Sequence, residues 1–180
     1  DEVKVIDEQM EITQGKLVMG YRANVDYADI DKYYALVVGS NVLGGGPHSK
    51  LFVNVREKES LCYYIFSSIE KYKSIMFISS GIETKDYDKA VELIKKQVES
   101  VKAGDISDEE LENSKLALVN SMKSITDNIG GMSDFVFSQS MAKTNSEVQD
   151  IISSIEKVTK KDIVEAIKNI ELDTVYFLRN

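Results

Sequence analysis

The chain has one cysteine, one histidine, one proline and no tryptophan among its 180 residues. A single Cys62 excludes an intramolecular disulfide and fits a reducing compartment, so cytoplasmic residence is the expectation. One His and one Cys also bound the metal chemistry. A catalytic zinc site ordinarily takes three protein ligands, most often with two histidines, and the inverted motif H-x-x-E-H requires two by itself. His48 is the only histidine, so this chain is expected to hold no metal and no cofactor of its own. No apolar run approaches the roughly 18 residues of a membrane span. Basic clusters are missing too: 30 acidic against 22 basic residues give a net charge of −8, the wrong sign for a nucleic-acid partner, where binding rests on Lys and Arg neutralising phosphates. The start, Asp1-Glu2-Val3-Lys4, has neither the Met nor the apolar core of a signal peptide and reads as a fragment boundary.

What is present is globular. Apolar residues make up 43%, enough for a core in one domain. Residues 1–13 are charged and only loosely alternating, and read as an inter-domain lead-in to a single domain over 14–180. Gln14 to Val25 alternates as a strand. Asp26 to Leu43 reads as a helix, stopped by Gly44-Gly45-Gly46-Pro47 in the way glycine past a C-terminus followed by proline stops one. Ser49 is placed to cap a short helix, Lys50 to Glu59. Leu61–Glu70 and Ser74–Glu83 are β-rich runs around the polar turn Lys71-Tyr72-Lys73, an antiparallel hairpin. Asp86 to Ala103 is strongly amphipathic, with Tyr87, Val91, Ile94, Val98 and Val101 on one stripe. Ser107-Asp108-Glu109-Glu110 is a capping box for a helix to about Asp127. Gly130-Gly131 separates that from a helix over Met132 to Lys143. Two shorter helices and a strand, Thr174 to Leu178, close the chain. A hairpin amid interleaved helices rules out an all-parallel sheet. The fold class expected is two-layer α+β: a mainly antiparallel sheet of about four strands, with helices packed on one face.

The richest stretch is Leu43-Gly44-Gly45-Gly46-Pro47-His48-Ser49-Lys50-Leu51-Phe52-Val53-Asn54-Val55-Arg56-Glu57-Lys58-Glu59-Ser60-Leu61-Cys62-Tyr63-Tyr64. It runs from a glycine break through a short helix into a strand, and sets Arg56 and Tyr63 at the two ends of one corner. A cation and a phenol brought together there can both donate to one oxygen. The bland reading makes Arg56 a solvated helix residue paired with a neighbouring Glu, and Tyr63 a strand tyrosine packed on the sheet. Alternation sends Tyr64 to the face opposite Tyr63, so one tyrosine at most joins Arg56. His48 reads as a cap-region residue, Cys62 as a small core residue, and Met122, Met132 and Met141 as core filler.

This segment resembles the zinc peptidases of the pitrilysin, insulinase and mitochondrial processing peptidase family. They carry "Leu-Gly-Gly-Gly-x-x-Ser-x-Leu-Phe-x-x-(Leu/Val)-Arg-Glu-x-x-x-Leu-x-Tyr" in the domain that faces the zinc domain, and every fixed position is filled here. The resemblance covers roughly residues 14–180, more loosely outside Gly44–Tyr64, and includes a "Val-Thr-x-x-Asp-(Ile/Val)" run at Val158 to Ile163. It implies a zinc-bearing domain or subunit as partner, zinc held there, and a peptide substrate. Arg56 and Tyr63 fall on the family's Arg/Tyr pair, which lies across the chamber from the zinc and contacts substrate near the scissile carbonyl. The wording Gly-Pro-His-Ser-Lys-Leu-Phe is closest to the non-zinc partner of bacterial two-chain members. The family also holds catalytically silent core subunits of respiratory complexes, so a scaffold with the same fold is the alternative implied.

Overall fold

Helices gather on one side of a five-stranded open sheet whose order is β1-β5-β2-β4-β3. The computed structural model describes residues 2–180. The strands are β1 (Lys4–Gln9), β2 (Gly15–Arg22), β3 (Cys62–Glu70), β4 (Ile75–Ile82) and β5 (Glu171–Arg179). Three of the four pairings are antiparallel; only β1 runs parallel to its neighbour, β5. The α+β, mainly antiparallel reading therefore holds, with one more strand than expected. The extra strand lies inside the stretch read as a lead-in. Every residue of β1 is exposed, so there is no buried face to write alternation into the sequence. Backbone pairing with β5 holds it, helped by polar side chains: Arg179 bonds Asp7 at 2.8 Å, and the Tyr176 hydroxyl donates to Glu8 at 2.5 Å.

The inner face of the sheet supplies Leu17 and Met19 from β2, Met76, Ile78 and Ile82 from β4, and Val175 and Phe177 from β5. Against them pack α1 (Ile30–Gly44), α2 (Tyr87–Lys102) and α6 (Lys160–Ile167), contributing Leu36, Val42, Ile94, Ile163 and Ile167, all within 1% of full burial. α3 (Asp108–Ile125) and α5 (Val148–Lys157) pack beside α1, and α4 (Ile129–Ala142) lies against α3. The capping box expected at Ser107 is formed: Ser107 Oγ accepts from Glu110 N, and Glu110 Oε2 accepts from Ser107 N. The β3–β4 hairpin turns over Lys71–Ser74, where Ser74 takes a φ of 51° and its hydroxyl ties the turn to the backbone of Val25.

Three local readings change. Gly130 and Gly131 do not separate helices; they form the first turn of α4, capped by Asn128. Met141 is 58% exposed rather than core filler, on a helix whose Ile129, Val136 and Phe137 are also exposed. Neither Gly45 nor Gly46, at the end of α1, takes a positive φ; Gly45 caps the helix in right-handed geometry. Gly44 is required for a different reason. A Cβ there would sit 2.5 Å from the backbone nitrogen of Ser67, so the end of α1 rests directly on β3.

Candidate substrate-contact site

The corner between the short helix and β3 is built from below by α1 and α3. The Ser49 hydroxyl donates to the Gly46 carbonyl at 2.6 Å and closes the turn after α1. The next residue, Lys50, is 6% exposed, with its ammonium 3.1 Å from Glu110 of the α3 capping box. The helix that follows is wound as a π-helix over Phe52–Glu57, not as the α-helix expected from its pattern. Wide turns of this kind are rare and concentrate at functional sites. Lys58 N–H reaches back five residues to the Val53 carbonyl, and Leu61 N–H then donates to the Val55 carbonyl, folding the chain straight into β3.

Arg56 projects from this π-helix into solvent. Its guanidinium stacks over the Phe52 ring, 4.6 Å from the centroid. Among the described residues no carboxylate pairs with it. The neighbouring Glu59 is taken by Lys89 at 2.7 Å. The bland reading of Arg56 as half of a local ion pair is therefore not what the structure has.

Tyr63 sits where the β3–β4 register slips: Cys62 opposes Ile82, Tyr64 opposes Gly81, and Tyr63 is the extra residue of a β-bulge. It is 58% exposed, and its hydroxyl donates to Glu83 Oε1 at 3.2 Å. That carboxylate also holds Lys85 at 2.9 Å. Glu83 raises the phenol above its ordinary pKa, first by the hydrogen bond and then by its charge, so Tyr63 is a proton donor throughout the neutral range. The bulge overturns the alternation argument for Tyr64. Cys62 and Ile65 face the core, while Tyr64 shares the outer face with Phe66, stacked at 6.1 Å, and lies over Gly81. Period-two counting fails here because a bulge leaves no composition signal.

The structure thus places Arg56 and Tyr63 on one corner, both exposed, without joining them. No hydrogen bond links the two side chains, and each has its own partner. Cys62, the residue before Tyr63, is buried. Burial raises its thiol pKa, against smaller lowering effects from Ser80 and Arg56, which leaves it a protonated core residue. His48 is turned inward, with Nε2 3.2 Å from both Asn41 Oδ1 and Ser114 Oγ. Sequence reasoning missed Phe52, Lys50 and Glu83 as partners of the site. Phe52 at four residues before Arg56 was the one readable signal, since that spacing stacks side chains on a helix.

Zinc does not fit these residues. Among the described residues no three of His, Cys, Asp and Glu gather to hold a metal ion, and the single His and Cys are each engaged in packing. No helix among them is long and apolar enough to cross a membrane.

Known proteins agree with this architecture. A Bacillus subtilis protein described as "Probable inactive metalloprotease YmfF" is 43% identical over 176 residues, 98% of this chain and 41% of its own. The crystal structure of a conserved protein from Enterococcus faecalis superposes with a TM-score of 0.93 at 34% identity, over all of this chain and 42% of that one. The fold also matches a peptidase M16 inactive domain from Pseudomonas fluorescens, with a TM-score of 0.76 at 18% identity, covering 99% of this chain and 44% of that one. The chain therefore spans less than half the length of these relatives. Residues 2–118 match the model of the peptidase M16 inactive domain, and with the non-zinc half of the motif and the two-layer fold both in place, the chain belongs to that family.

Proposed function

We propose that this chain is the substrate-positioning, transition-state-stabilising domain of a zinc-dependent peptidase, working with a zinc-bearing domain or subunit of the same family. The observation that carries this reading is Arg56: an exposed guanidinium, steadied on Phe52, with no carboxylate partner among the described residues of a chain of net charge −8. An arginine in such surroundings ordinarily finds an acid; one that has none is available to a ligand oxygen. Tyr63, seven residues on, adds a second donor from a bulge that lifts it off the strand. Two donors presented from one corner orient a peptide carbonyl and stabilise negative charge that develops on its oxygen. The guanidinium supplies charge and the phenol a directed hydrogen bond. The zinc is assigned to the partner, because the residues here do not fit it.

The relative described as probably inactive favours a second reading, a silent scaffold with the same fold. One experiment separates them. The full-length parent protein is combined with a zinc-bearing family member from the same organism, and cleavage of a quenched fluorescent peptide library is followed. Arg56→Ala and Tyr63→Phe each lower kcat about a hundred- to thousandfold, as loss of one such donor does, with a smaller effect on KM; Tyr64→Phe changes little. Unchanged cleavage by both variants in an intact complex leaves the scaffold.

A further inference from the structure

The Tyr63 phenol has one proton, and in this structure it points to Glu83. An ionised carboxylate accepts hydrogen bonds and donates none, so while Tyr63 Oη donates to Glu83 Oε1 at 3.2 Å the proton is not available to a substrate oxygen. We infer that Glu83 and Lys85 form a latch on Tyr63: Glu83 holds the phenol in the resting chain, Lys85 weakens that hold, and a substrate oxygen engages Tyr63 by displacing Glu83. This rests on the reading of Tyr63 as a substrate donor given above, and makes Glu83 and Lys85 positioning residues for it.

The backbone sets the latch up. Ile82, just before Glu83, is paired on both sides, with Gly15 of β2 and Cys62 of β3. Just after it, Asp86 N–H donates to the Glu83 carbonyl and opens a 3₁₀ turn over Thr84–Asp86. Glu83 is thus fixed at a strand end, and the bulge delivers Tyr63 to it across one strand pairing. The side chains meet over a hollow of about 290 Å³ lined by Gln14, Gly15, Thr84 and Asn180, open enough for a ligand oxygen to approach the phenol. Lys85, 2.9 Å from Glu83 Oε2, draws on the same carboxylate from the other side. The three groups share one charge balance: more negative charge on Glu83 tightens its grip on the phenol, and less loosens it. Arg56 has no such competitor among the described residues, so the latch acts on one donor of the two.

Opposite signs are therefore expected for two substitutions, a pattern that a merely structural role does not give. Glu83→Gln replaces the anion by a weaker acceptor whose amide can donate to the phenol oxygen, leaving the Tyr63 proton free. Lys85→Ala leaves Glu83 to the phenol alone. The first measurement follows the Tyr63 ring carbon that bears the hydroxyl by NMR in the full-length protein, assigned by Tyr63→Phe, as pH is raised. Tyr63 ionises at lower pH in Glu83→Gln and at higher pH in Lys85→Ala. The second follows peptide cleavage in the reconstituted complex: kcat/KM rises about threefold for Glu83→Gln and falls about threefold for Lys85→Ala, the size of one exposed charge-assisted contact. An unmoved Tyr63 titration, or cleavage that falls in both variants, overturns the latch. Titrations that move as stated while cleavage ignores both variants and Tyr63→Phe overturn the catalytic reading of Tyr63 and keep the Glu83 contact.

Discussion

Gly44→Ala tests how the end of α1 is seated on β3. The added Cβ would lie 2.5 Å from Ser67 N, 3.0 Å from Ser67 Oγ and 3.0 Å from Leu51 Cδ1. The first of these is backbone, and cannot swing aside. Ser67 is also tied to α1 by its hydroxyl, which donates to the Ser40 carbonyl at 2.5 Å and lies 2.9 Å from Ser40 Oγ. Relief requires helix and strand to separate by roughly 1 Å, with an overpacking cost of about 1–3 kcal/mol. Against that stands a helix-propensity gain of about 1 kcal/mol at most, smaller at the last helical residue. The net loss is about 1–2 kcal/mol, or about 2–8 °C in Tm for a chain of this size. Gly46→Ala is the internal control, since its Cβ would meet only the His48 ring, at 3.5 Å, in backbone geometry any residue adopts. Differential scanning calorimetry of the two variants decides the matter. A Gly44→Ala variant that melts at or above the parent, or a Gly46→Ala variant that falls as far, refutes this seating of α1 on β3.

Further outcomes follow from single groups. Ser107→Ala removes the acceptor for Glu110 N and lowers stability by about 1 kcal/mol in urea denaturation; an unchanged midpoint shows the cap to be idle. Tyr21→Phe raises the midpoint or leaves it unchanged, because the Tyr21 hydroxyl is buried with no partner among the described residues; a clear loss contradicts this. Burial lowers the His48 pKa below its ordinary value near 6.5, against a smaller raising effect from Glu110, with the neutral groups Asn41 and Ser114 facing its ring. A histidine that resists protonation when folded contributes fully above the unfolded pKa, and that contribution is lost as pH falls through the folded value. Stability measured at pH 7.5 and pH 5 therefore falls further in the parent than in His48→Gln, and equal falls refute the assignment.

Most of the fold was legible because burial writes periodicity into sequence. The stripe from Tyr87 to Val101, the Ser107 capping box and the hairpin around Lys71 all reappear at nearly the positions their patterns indicate. What was not legible has physical causes that leave no periodic trace. β1 is exposed on both faces and joins the sheet through its backbone and charged side chains, so Lys4–Gln9 looks like linker. The π-winding of Phe52–Glu57 uses the same residues an α-helix would. The bulge at Tyr63 changes the facing of Tyr64 without changing any residue type. Arg56 and Tyr63 were readable only through the longer motif around them, since neither an exposed arginine nor a strand tyrosine is distinctive alone. Glu83 and Lys85 lie twenty and twenty-two residues beyond Tyr63, and only the pairing of β3 with β4 brings them to it.

The two candidate donors differ in how the fold treats them. Arg56 is flanked by Glu57 and Glu59, yet bonds neither. Lys89 of α2 takes Glu59, and Phe52 takes the guanidinium face, which holds the side chain without satisfying its N–H groups. Tyr63 is given an acceptor, and that acceptor is itself shared with Lys85. A guanidinium stays charged whatever binds it, so freeing it from carboxylates suffices to keep it ready. A phenol has a single proton whose direction must be set. Leaving Arg56 unpaired while placing Tyr63 on a contested carboxylate makes the cation the constant element of the corner and the phenol the adjustable one. Under the proposed function, Arg56→Ala should then depress every peptide substrate alike, whereas the effect of Tyr63→Phe should vary with how well each substrate's oxygen competes with Glu83.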